Sequence, residues 1–545
     1  MLHLPCIAAH RRPCGILFGL GVALISAASL PGLASAQEHE HPAGDAETLG
    51  TVTFPSSCAP AVADDVERAV AMLHSFWFDA ADHAFKAIAA ADPACATARW
   101  GTAMTLMGNP MARTLPSAEA LRAGLAAAEE AKSLAQAQSH REQMYADAAL
   151  AFYTGPAERD LASRSAAHEQ ALAALHAAHP EDPEATIFYA RAMVANAPPT
   201  DLTFARQLAA AELLQPLFER NPDHPGLAHY IIHAFDAPAL ASRGRDAALA
   251  YAEIAPAAPH ALHMPSHIFT RLGDWEKSID TNARSARAEP DSNAAVHPMD
   301  YLVYAHLQLG QDAAARRVVE RAVQNPDRFY GGLLGYNFTA MPARYALERN
   351  AWADAAALRV PVNALPFVEA VTRFARAIGA ARSGQPDAAR ADIATLATLE
   401  ATLRERNDAY WATVVGAQRL AAEAWVARAQ GDDASALRLA REAVEREESV
   451  EKHPVTPGPI LPARELEGDL LMELGRPAEA LVAYEQTLAR EPNRARTLFG
   501  AARAAERAGD AAKARTHYAA LLELMGEADA ERPEPAEARR FLAMR

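Results

Sequence analysis

Apolar and small residues recur at three- and four-residue spacing through most of the chain, and nowhere does a strand-like alternation persist. Residues 118–138, 142–154, 161–178, 183–195 and 202–220 each present the single apolar stripe of a helix. Proline-bearing turns such as HPEDPE, from His179 to Glu184, separate them. Leu73 to Met104 predicts two more helices, with Phe76, Trp77 and Phe78 before the first and Asp92-Pro93 as its stop. Ala81, Phe85 and Ile88 share one face of that helix, and Trp100 and Met104 lie one turn apart on the next. Large aromatics at this spacing usually belong to a core; the wall of a groove is the other reading of the pair. Near the carboxy-terminal end Gly475, Ala480 and Tyr484 return as Gly509, Ala514 and Tyr518 after 34 residues. Gly384/Ala389 and Gly431/Ala436 echo the pattern more loosely. The pattern predicts an all-α solenoid of stacked helical hairpins, divergent over residues 56–335 and more regular over 336–545, with its clearest repeats at 464–525.

Between His229 and Tyr304, three successive segments carry polar side chains at helical spacing. HYIIHAFD places His229, His233 and Asp236 at i, i+4 and i+7 of one predicted helix. HALHMPSH places His260, His263 and His267 at i, i+3 and i+7, with Met264 beside them and Pro265 expected to kink the turn. HPMDYLVY places His297, Asp300 and Tyr304 at i, i+3 and i+7 behind a proline that suits a helix start. Gly273 and Gly310 mark the turns of consecutive hairpins, so these segments are first helices, which line the concave side of a solenoid. The three rows are expected to converge on one groove. Buried structural hydrogen bonding, contact with a peptide or small ligand, and metal ligation all remain open for them. A metal would take His229, His233, His260, His263 and His267, with zinc or copper suited to imidazole and Met264 leaning toward copper.

Composition narrows the setting. The 545 residues carry a formal net charge of -16 and no long basic run, which argues against nucleic acid as a partner. Residues 1–36 have the form of an export signal: Arg11 and Arg12, an apolar run from Gly15 to about Leu30, and the small-residue pattern Ala34-Ser35-Ala36. Residues 37–55 are expected to be a polar linker, in which the pair His39 and His41 belongs to a solvated tail. No second apolar stretch reaches membrane-spanning length, so the mature chain is expected to lack a transmembrane segment and to be exported to the bacterial periplasm. Cleavage removes Cys6 and Cys14 and leaves Cys58 and Cys95; a disulfide between them is the expected arrangement, two separately buried thiols the alternative. VEKHPVTPGPILPAR, from Val450 to Arg464, reads as a proline-dense loop that either edges the groove or breaks the array.

The units from Gly475 to Leu524 resemble tetratricopeptide repeats. The strings Leu73–Phe78, Ala228–Ala234 and Ala258–Phe269 resemble a family of exported bacterial tetratricopeptide-repeat proteins. The resemblance spans most of the mature chain and implies the fold, but no activity. The first expectation is therefore an exported scaffold that binds a protein, peptide or small ligand along its histidine-rich groove. The second is a metal-binding protein or metal-dependent enzyme using the His229–His297 cluster. No HExxH, phosphate loop, dinucleotide fingerprint or nucleophile elbow occurs, and no catalytic residue is assigned.

Overall fold

Proline and glycine punctuation sets where the helices begin and end. A computed structural model of the chain describes residues 48–545, apart from 156–157, 291, 325–328, 530–531 and 545. Pro183, Pro225, Pro259, Pro265 and Pro477 each occupy the first turn of a helix, where a missing N–H costs no hydrogen bond. Helices span Ala118–Ala135, His140–Tyr153, Leu161–Ala178, Pro183–Ala195 and Ala205–Arg220, matching the five expected stripes. Among the described residues there is no strand, and no helix is long and apolar enough to cross a membrane.

Consecutive helices pack pairwise along residues 47–545, which form one compact unit. The repeat at the carboxy-terminal end shows why small residues dominate. Helices Ala463–Glu473, Pro477–Arg490, Ala495–Ala508 and Ala511–Leu524 form two successive hairpins. Gly475 and Gly509 turn them at φ +70° and +82°, where a side chain would be strained. The Tyr484 ring lies between Gly468 and Gly500, and a Cβ at either would stand 2.7 or 2.6 Å from it. Small residues thus admit one buried ring per hairpin. The fold is a tetratricopeptide-like α-solenoid.

The solenoid turns back on itself. Trp275 Nε1 donates to the Asn493 carbonyl at 2.8 Å, Asp529 N to the Gly310 carbonyl at 3.0 Å, and Arg532 pairs with Asp312 at 2.7 Å. The last repeats therefore pack on the hairpin turns that follow the histidine segments. The proline-dense loop is drawn into the same region, where Glu451 N donates to the Pro199 carbonyl at 2.8 Å.

One amino-terminal expectation changes, that of the polar linker. The signal at 1–36 and the pair His39 and His41 lie outside the described residues. The described end of the expected 37–55 linker is packed: Leu49, Val52 and Phe54 are buried, and Phe54 stacks on Trp100 at 5.2 Å. Backbone hydrogen bonds add to this burial, Thr51 N donating to the Asp223 carbonyl at 2.9 Å and Phe54 N to Glu67 Oε1 at 3.2 Å. Cys58 and Cys95 are joined by a disulfide with Cα atoms 4.5 Å apart. Trp100 and Met104 are core residues.

Candidate metal centre

His229 and His233 stand one turn apart on the helix Pro225–Phe235. Asp236 falls one residue beyond that helix rather than on its stripe. HALHMPSH forms two short helices, Pro259–His263 and Pro265–Arg271, because Pro265 begins a second helix instead of kinking one. His297 lies on the helix Val296–Gln308. The solenoid brings the six rings together in two adjacent triads, His229/His233/His260 and His263/His267/His297. Within each triad one nitrogen per ring lies within 4.8 Å of the others. The triads adjoin at His233–His267 and His260–His263, with ring centroids 5.9 and 6.0 Å apart.

The outer nitrogens decide the tautomers. His229 Nδ1 donates to the His74 carbonyl at 2.6 Å, His263 Nδ1 to Asn282 Oδ1 at 2.6 Å, and His267 Nδ1 to Asp236 Oδ2 at 2.8 Å. Asn282 is itself fixed, its Nδ2 donating to the Ser278 carbonyl at 2.6 Å. With the proton on Nδ1, each ring offers a lone pair at Nε2. The Nε2 atoms of His263 and His267 face each other at 3.0 Å, and those of His229 and His260 at 3.2 Å. Two lone pairs 3.0 Å apart repel. Two imidazole nitrogens each about 2.0–2.1 Å from one ion stand about 3–3.4 Å apart, so the spacing fits a shared cation. Within the cluster His233 Nε2 and His297 Nδ1 are buried without a hydrogen-bond partner.

Burial, then the mutual proximity of the rings, holds His229, His233, His260 and His297 well below the ordinary imidazole value. His263 is also well below it and His267 is lowered, again first by burial. All six are therefore neutral near pH 7, the form that binds metal. Asp236 takes Lys452 Nζ at 3.0 Å and Arg271 Nε at 3.0 Å as well as His267. Burial raises its pKa, but Lys452 and Arg271 outweigh this and hold it well below the usual carboxylate range. It orients His267 as an anion.

The other expected site residues do different work. Asp300 is fully buried and receives Arg344 Nε at 3.2 Å and Asn337 Nδ2 at 3.2 Å. Tyr304 accepts from Arg494 Nη1 at 3.0 Å and packs edge-on against Trp275 at 5.4 Å. Both share the His297 helix, yet neither joins the histidines, because Arg344 and Asn337 engage Asp300 and Arg494 and Trp275 engage Tyr304. His229, His263 and His267 are at most 1% exposed and so do not line an open concave groove, whereas His260 and His297 are half-buried. Packing of the loop and of Phe76 over the first helices covers what would otherwise be a surface.

Several contributors were not singled out from the sequence. Arg344 donates to the Gly458 and Pro459 carbonyls at 2.6 and 2.7 Å, and Asn337 Nδ2 to the Val455 carbonyl at 2.8 Å, pinning the proline-dense loop beside the centre. That loop supplies Lys452. Phe76 holds a left-handed backbone at φ +53°, uncommon for a bulky residue, and places its ring edge-on against His229 at 4.4 Å. A further buried group, His74, Glu184 and His224, is satisfied internally. Glu184 bridges both rings at 2.8 Å, and His74 Nδ1 meets the Tyr230 hydroxyl at 3.0 Å. Its role is support, since the His74 carbonyl fixes His229.

Over the two triads lies a cavity of about 530 Å³, bordered by His233, His260, His267 and His297.

No family model and no curated protein matches the chain. Among solved structures it is similar to a tetratricopeptide repeat protein from Parabacteroides merdae ATCC 43184. That match is 11% identical with a TM-score of 0.28, over 52% of this chain and 98% of the other. It is also similar to the human IFIT1 dimer with PPP-AAAA, at 12% identity and a TM-score of 0.38, covering 84% and 89% of the two chains. The APC/C hetero-tetramer Cut9-Hcn1 matches at 12% identity and a TM-score of 0.29, covering 88% and 96%.

Proposed function

We propose that this protein is an exported metalloprotein that holds two transition-metal ions, one in each histidine triad, beneath a cavity that admits a small ligand. The carrying observation is the pair His263 and His267: both Nδ1 atoms are committed to acceptors, and both Nε2 atoms point at one place 3.0 Å apart. Structural hydrogen bonding accounts poorly for two facing lone pairs, and burial weighs against the peptide-groove reading for these residues. An all-imidazole set suits copper, zinc, nickel or iron. Six neutral donors, with no carboxylate among them, bring no charge to offset that of the metal. Burying two doubly charged ions there is costly. Monovalent copper meets that cost best, so copper is the first choice. The export signal expected over residues 1–36 and the Cys58–Cys95 disulfide fit an oxidising compartment such as the periplasm.

The test is metal stoichiometry of mature protein purified without an affinity tag and loaded with cuprous copper or zinc. Two ions per chain are expected for the parent, and one each for His263→Ala/His267→Ala and for His229→Ala/His233→Ala, with helical content unchanged. Protein that refuses both metals would overturn the proposal.

A further inference from the structure

The cavity above the triads has a lining that selects its occupant. Among the described residues that line it there is no Asp, Glu, Lys or Arg. Among those residues a phosphate or carboxylate finds no cation, and an ammonium group no carboxylate. Its walls include Phe76, Phe78, Met111, Leu333, Phe338 and Val455, so most of the surface is apolar and much of it aromatic. Phe76 and Phe78 stack at 5.2 Å with an interplanar angle of 24°, and Phe76 lies over His260 at 5.4 Å. Four of the clustered histidines, His233, His260, His267 and His297, border it together, and His233 Nε2 and His297 Nδ1 are buried without a partner. An extended peptide would bury a row of backbone N–H and C=O groups against such walls without partners.

We infer that the cavity binds a small uncharged phenol, its ring against the aromatic wall and its hydroxyl at the histidine end. A volume of about 530 Å³ accommodates one or two fused or linked rings with substituents. Offset or edge-on contact with the Phe76 and Phe338 rings favours a flat aromatic body over an aliphatic one of equal size. The hydroxyl serves either state of the centre. In the metal-free protein it donates to a neutral imidazole such as His233; in the loaded protein its oxygen is a ligand for the metal that the reading above places there. The metal-bound form rests on that reading, while the choice of ring and hydroxyl rests on the cavity alone. The strained Phe76 backbone fits this assignment, because the fold holds the ring where it walls both the cavity and His229.

The experiment uses mature protein, both stripped with chelator and loaded with copper, and follows 4-fluorophenol, fluorobenzene and 4-fluorobenzoate by fluorine NMR. The expected result is saturable one-to-one binding of 4-fluorophenol to both forms, at least tenfold tighter than either comparison compound. Leu333→Arg, which adds a charge to the wall without touching a triad, is expected to weaken that binding at least tenfold while metal content and helicity stay constant. No saturable binding of the phenol, equal or tighter binding of the benzoate, or an unchanged affinity in Leu333→Arg would overturn the inference. Phenol binding by a protein that never takes up metal would sink the metal reading and leave this one standing.

Discussion

At the scale of single residues, the centre depends on the groups behind the proposed ligands. Asn282 touches no proposed metal, yet it fixes both tautomer and ring plane of His263 through a 2.6 Å hydrogen bond. Removing such a partner commonly weakens metal binding 10–100-fold. Asn282→Ala is therefore expected to weaken one of two sites by about that factor in a chelator competition, and to leave the other unchanged. Equal affinity in the variant would mean that His263 is not a ligand. The histidines themselves were legible because His229 and His233 keep their i, i+4 spacing and His260 and His263 their i, i+3 spacing on one helix each, while Pro265 carries His267 onto the next. Asp236 was legible as a member but not as a supporter, since its place beyond the helix end depends on where Phe235 stops. Asp300 and Tyr304 shared the spacing and not the site. Their partners Arg344 and Arg494 lie 44 and 190 residues away, so no local pattern announces them.

At the scale of elements, the hairpin period fixed most helix boundaries, while the proline-dense loop after Val450 carried no periodicity to read. Its position comes from a buried pair: Arg344 and Asp300 are both inaccessible to solvent, and the same guanidinium binds the Gly458 and Pro459 carbonyls. Removing one partner of a buried ion pair leaves an uncompensated charge and typically costs about 3–5 kcal/mol. Arg344→Leu is expected to lower unfolding free energy by that order. It should also open residues 452–460 to limited proteolysis in otherwise folded protein. Proteolysis unchanged from the parent would show that the loop is held by other contacts. Loss of this clamp also frees Lys452, and with it part of the field that keeps Asp236 ionised.

At the scale of the whole molecule, the solenoid is wound so that its last repeats brace the hairpins carrying the histidines, and many imidazoles end up away from water. Burial pushes His168 down to about 4 and His453 to about 3, from an ordinary value of 6.5. Between those values and 6.5 the unfolded chain binds more protons than the folded one, so stability is full above pH 6.5 and falls as the pH drops below it. Each such group contributes up to about 1.4 kcal/mol per pH unit. Glu447, pushed up to about 8 by burial, acts in the opposite sense from pH 8 down to 4.5, and burial raises Glu491 and Asp300 in the same direction, but the lowered histidines outnumber these three carboxyls. The urea midpoint of metal-free protein is expected to fall steadily from pH 6.5 to pH 5; a flat profile would mean that these rings are hydrated.

On the proposed function, two imidazole triads each enclose one ion. A crystal structure of copper-loaded mature protein, with anomalous diffraction recorded at the copper edge, addresses it directly. Two anomalous peaks are expected, one about 2.0–2.1 Å from nitrogens of His229, His233 and His260 and one at the same distance from His263, His267 and His297. A loaded crystal with no peak between the Nε2 atoms of His263 and His267, or with copper bound only at the surface, would contradict it.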